Sequence, residues 1–157
     1  MILLESLPIH FDISHIHPSM VHFPVALILT GYLIFCIYMF RKRNSRKFAL
    51  LSYYVLMSAA LCSFVIAFTG LFYTDKYPGV AMNVLIDHRF WAMLTVIFIG
   101  CAAAFKLFGF LTTKKNVESY NWPTFIFYSL ASFCVIVTAT RGVQLAFVYL
   151  MGPQFQP

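Results

Sequence analysis

His17-Pro18-Ser19-Met20-Val21-His22-Phe23-Pro24 opens an apolar run that continues without a formal charge to Phe40, where Arg41-Lys42-Arg43-Asn44-Ser45-Arg46-Lys47 ends it. At 1.5 Å per residue, a helix from about Met20 to Phe40 covers the roughly 30 Å hydrocarbon core of a bilayer. The five cations of the closing stretch carry the Lys/Arg excess expected of a cytoplasmic loop. The N-terminal side, with His10, His15, His17 and His22, is therefore expected to face outward.

The rest of the composition suits a chain that meets lipid. Of 157 residues, 61% are hydrophobic and 10% charged, whereas a soluble domain carries roughly a quarter of charged residues. The formal net charge of +6 does not read as a nucleic-acid footprint, because the cations bunch between apolar runs instead of spreading over one face. Cys36, Cys62, Cys101 and Cys134 fall in four different apolar runs without ligand spacing and read as soft packing residues. Met1-Ile2-Leu3-Leu4-Glu5 lacks a basic n-region and no cleavable pattern follows it, so the first apolar run is expected to stay in the mature protein.

Three more runs of spanning length follow. One covers about 48–73, close enough to the first to be its antiparallel neighbour, and carries Ala59, Ser63, Ala67 and Gly70 as a small-residue packing stripe. A turn-rich outer segment, 74–87, leads to a third helix at about 88–111, ahead of Lys114 and Lys115. The fourth, about 123–151, starts after the interfacial pair Trp122-Pro123. The expected fold is all-α: a transmembrane four-helix bundle with helices at about 20–40, 48–73, 88–111 and 123–151, N-terminus and C-terminus both outside. It forms one domain, 18–152, between a surface segment, 1–17, which Pro8 interrupts, and a short tail, 153–157.

Counting depth from the helix starts puts His22 and His88 within roughly 3 Å of the same outer boundary. Arg141, 18 residues beyond Pro123, reaches the same layer at roughly 27 Å from the inner surface. Two imidazoles from different helices at matched depth are what a haem b iron takes as axial ligands, and an intramembrane cation beside them suits a propionate. Cofactor-binding candidates are thus His22, His88 and Arg141, with His22 and His88 as ligands of the haem iron. Other readings stand beside this one. The histidines can be structural, and Arg141 can pair with Asp87 to fasten two helices, with Gln144 extending the contact. A copper or zinc site from His10, His15, His17 and His22 with Met20 is disfavoured, because His17 and His22 point roughly 140° apart on one helix. Asp12, Asp75 and Asp87 offer carboxylates, but no hydrolase or phosphate-loop pattern accompanies them, so no independent catalytic motif is found. Each half also has a histidine near the start of its first helix, His22 or His88, and a glycine late in its second, Gly70 or Gly142, a faint internal symmetry.

The motif H-P-x-x-V-H-F-P at 17–24, the Thr69-Gly70 step, the histidine opening helix three and the glycine late in helix four resemble a family of small four-helix bacterial membrane proteins known only as a domain of unknown function. The resemblance runs from about His17 to Gly152. It implies a multi-pass protein of the bacterial inner membrane, associated with respiratory or cytochrome-containing proteins. Thr140-Arg141-Gly142-Val143-Gln144 departs from the small residues usual in that family's last helix. The expected function is an electron-transfer subunit that binds haem b near the periplasmic surface, working with other membrane subunits or a periplasmic cytochrome. The alternative is a non-catalytic structural subunit with no cofactor of its own. A transporter is disfavoured by an inner half with only isolated Ser and Thr.

Overall fold

A computed structural model describes residues 20–42, 44–72, 80–112 and 120–149. Four helices follow in order: α1 His22–Arg41, α2 Arg46–Phe72, α3 Val80–Leu111 and α4 Asn121–Val143, the last continued by a π-helical stretch, Gln144–Tyr149. The expected segments 1–17 and 153–157 lie outside the described residues, as do His10, His15 and His17. All four helices are long and apolar enough to cross a bilayer. Each presents large apolar side chains outward, among them Leu33, Leu61, Phe64, Phe108 and Phe133. Such all-round apolarity is unfavourable in water and matched to lipid.

Local chemistry accounts for the helix ends. Pro24 and Pro123 each occupy the third position of their helix, inside the first turn, where backbone N–H groups have no helical acceptor and a missing donor costs nothing. At the far end of α1, the Lys42 N–H bonds Ile37 O at 3.0 Å and Ser45 N–H bonds Lys42 O at 2.8 Å, closing a tight turn into α2. One expected boundary moves. Helix three starts at Val80 and not at His88. The polar triplet Asp87-His88-Arg89 looks like a helix edge in sequence, yet it lies two turns inside α3. Its 32 residues span roughly 48 Å, more than a bilayer core, so α3 can carry polar residues at interfacial depth.

The helices form a ring in which α1 packs on α2, α2 on α3, α3 on α4 and α4 on α1, leaving α1 and α3 diagonal. The core is Ile28, Phe35 and Tyr38 of α1, Leu56 and Ala59 of α2, Ile99, Ala102 and Ala103 of α3, and Tyr128, Ala131 and Val135 of α4. Close approach rests on small residues, since lipid is as apolar as the helix surfaces and only packing draws them together. Ala59 and Ser63 of the expected α2 stripe are buried. Gly31 sits directly beneath the Tyr128 hydroxyl and Val55. Hydroxyls inside the bundle are mostly returned to their own helices: Ser63 donates to Ala59 O, Thr95 to Trp91 O, Thr124 to Tyr120 O and Thr138 to Cys134 O. Side chains bonded in this way satisfy the need for partners in lipid.

Candidate functional site

Helix pairing places the residues singled out in sequence. Tyr32 Oη and Ser129 Oγ meet at 2.9 Å between α1 and α4. Ten residues back along α1 is His22 and nine residues on along α4 is Thr138, displacements of roughly 15 and 14 Å in the same direction. His88 Nδ1 donates to Thr138 O at 3.0 Å. His22, His88 and Arg141 thus occupy one layer at one end of the bundle.

Within that layer they do not converge. The buried residues of α1 are Pro24, Ile28, Gly31, Phe35 and Tyr38; at 100° per residue His22 falls roughly 160° from the middle of that face. It is exposed, on the outward side with Leu33 and Phe40. His88 is half-buried and turned toward α4, where a Cβ added at Gly142 would stand 3.3 Å from His88 Cε1, so glycine makes room for the ring. With Nδ1–H held by a carbonyl, the Nε2 lone pair is the free one, the arrangement that orients metal-bound imidazoles. Arg141 Nη2 lies 3.9 Å from Asp87 Oδ2, and Arg141 Nη1 donates to Gln144 Oε1 at 3.1 Å. Asp87 answers the charge of Arg141, and the contact ties α3 to α4.

A haem b held by two imidazoles inside this bundle is not what these residues fit. His88 suits one axial position, whereas His22 sits on the opposite side of its helix from the bundle interior and on the helix diagonal to α3. Among the described residues no group of three or more His, Cys, Asp or Glu is placed to hold a metal ion. The four cysteines are unpaired, each on its own helix.

A second polar locus lies at the other end, beside the basic α1–α2 turn. Lys106 of α3 is buried, with 7% of its surface exposed. Its Nζ donates to Asn121 Oδ1 of α4 at 3.2 Å and lies 4.9 Å from the Phe35 ring centre and 4.4 Å from that of Tyr38. A cavity of about 180 Å³ adjoins it, lined by Tyr38, Arg46, Tyr53, Lys106, Tyr120 and Asn121 among others. Sequence reading took Lys114 and Lys115 as the cationic end of helix three and passed over Lys106. The available signal was a lone cation in Phe105-Lys106-Leu107-Phe108, an apolar context where a charge needs a reason.

Fold and composition define a multi-pass membrane protein built as a four-helix bundle, with polar residues gathered at its two ends. The chain belongs to the family described as Predicted membrane protein (DUF2231), which it matches over residues 14–154. No curated protein and no solved structure matches it.

Proposed function

We propose that the chain is a non-catalytic membrane subunit of a larger assembly, with the His22/His88 end acting as a structural clasp. The supporting observation is that the polar groups there are spent on joining α3 to α4, His88 on Thr138 O and Arg141 on Asp87, with Gln144 holding the Arg141 side chain from its own helix. The test is the state of the protein extracted in mild detergent from its native membrane. Co-migration with defined membrane subunits supports the reading, and a monodisperse single chain that retains no partner refutes it.

The second reading is electron transfer through haem b in a respiratory or other redox complex of the bacterial inner membrane. What favours it is the His88 ring, held at Nδ1 by Thr138 O with Nε2 free and packed against Gly142. His88 would supply one axial imidazole, and the other would come from the N-terminal histidines outside the described residues or from a partner. A Soret band in haem-replete protein, lost in His88→Ala and kept in His22→Ala, supports this version. A band lost in both restores the two-histidine pairing, and no band removes haem.

A further inference from the structure

A buried lysine in a membrane helix normally faces a carboxylate, a water-filled path or a bound anion. Lys106 faces no carboxylate within the described residues, where the only one is Asp87, near the opposite end of α3. Instead Asn121 Oδ1 takes one of its three donors, and Phe35 and Tyr38 turn their rings to the ammonium. Tyr38 also walls the adjoining cavity, together with Tyr53, which stacks on Phe110 at 4.6 Å between α2 and α3. Arg46 at the start of α2 and Asn121 at the start of α4 line the same space. These are the helix ends whose unpaired N–H groups carry partial positive charge.

We propose that this cavity is a binding site for a phosphate group, entered from the bilayer interface, with Lys106 as its central cation and Asn121 and Arg46 as further donors. Size and depth both point this way. About 180 Å³ falls below the roughly 300–1,000 Å³ of sites that hold drug-sized ligands, and suits a headgroup-sized anion. Lys106 lies five residues before Leu111, the last residue of α3, or roughly 8 Å along the helix, which sets it near headgroup level at the basic end of the bundle. Basic pockets between transmembrane helices recognise anionic lipid headgroups through this combination of cation and amide donors. The Lys106–Asn121 bond also fastens α3 to α4, but a fastening alone does not require a cation or the space beside it. The site is independent of the clasp at the other end.

The experiment uses the full chain, delipidated in non-ionic detergent. Native mass spectrometry is run with phosphatidylglycerol against phosphatidylcholine at equal concentration, and thermal unfolding with inorganic phosphate. Preferential retention of phosphatidylglycerol, weakened about tenfold or more in Lys106→Gln and kept in Lys106→Arg, is the expected result. Equal stabilisation by inorganic phosphate, with the same dependence on Lys106, assigns the site to the free anion. Arg46→Gln, at an exposed position that leaves the core intact, is expected to weaken retention in part and reports on the site if Lys106→Gln fails to fold. Glu118 lies outside the described residues, and Glu118→Gln is expected to leave retention unchanged or raise it. Equal retention of the two lipids, or full retention in both Lys106→Gln and Arg46→Gln, overturns the proposal, as does loss in Glu118→Gln.

Discussion

Gly31→Ala sets two opposite effects against each other, and the structure decides which wins. In an exposed helix interior, replacing Gly by Ala gains about 1 kcal/mol from backbone entropy. Here the new Cβ would overlap Tyr128 Oη and stand 2.8 Å from Val55 Cγ1. Tyr128 has no room to yield: it is fully buried, with its ring 5.6 Å from that of Tyr32 and 6.0 Å from that of Phe35. Overpacking of this kind costs about 1–3 kcal/mol, so the net expectation is a loss of up to about 2 kcal/mol after the propensity gain. Tyr128→Phe isolates the cause. It removes a buried hydroxyl that has no hydrogen-bond partner in the structure, so alone it is neutral or stabilising by about 1 kcal/mol. Combined with Gly31→Ala it relieves most of the clash, and the double-mutant cycle should show about 1 kcal/mol or more of favourable coupling. The assay is reversible unfolding in detergent micelles followed by far-ultraviolet circular dichroism. A Gly31→Ala protein more stable than wild type, or a cycle with no coupling, refutes the wedge of Tyr128 over Gly31.

Other outcomes follow from the same contacts. Lys106→Met in lipid-free detergent is expected to stay within about 1 kcal/mol of wild type, since removal of a buried cation offsets the bond lost to the buried Asn121 Oδ1, whereas Lys106→Asp lowers stability further; the same unfolding assay checks both. Asp87→Asn should cost no more than about 1 kcal/mol and lose that cost at high salt, because both members of the Asp87–Arg141 pair are more than a third exposed. His88→Ala is expected to cost about 1 kcal/mol through the lost bond to Thr138 O, with His22→Ala within about 0.5 kcal/mol of wild type, read from paired melting curves. A cysteine at Ser45 should react with membrane-impermeant maleimide only from the cytoplasmic side if the basic turn follows the charge rule; labelling from outside intact cells inverts the topology.

The number of spans and their approximate limits were legible in the sequence, because a bilayer imposes a single dominant requirement: about twenty apolar residues in a row with every backbone group satisfied within the helix. The common level of His22, His88 and Arg141 was legible for the same reason, since depth along a helix is a count of residues. The direction in which each side chain points around its helix was not. Where every face is apolar, no periodic pattern marks the inward one, so the outward position of His22 and the turn of His88 toward Gly142 emerge only when helices pack. The start of α3 at Val80 was hidden by Asp87-His88-Arg89, because a polar triplet near an interface looks alike at a helix edge and two turns inside it. Lys106 escaped notice because hydropathy averages a single cation into its apolar surroundings. Its pairing with Asn121 across fifteen residues, the aromatic rings around it and the cavity beside it belong to the tertiary structure, which alone brings all four helices to one point.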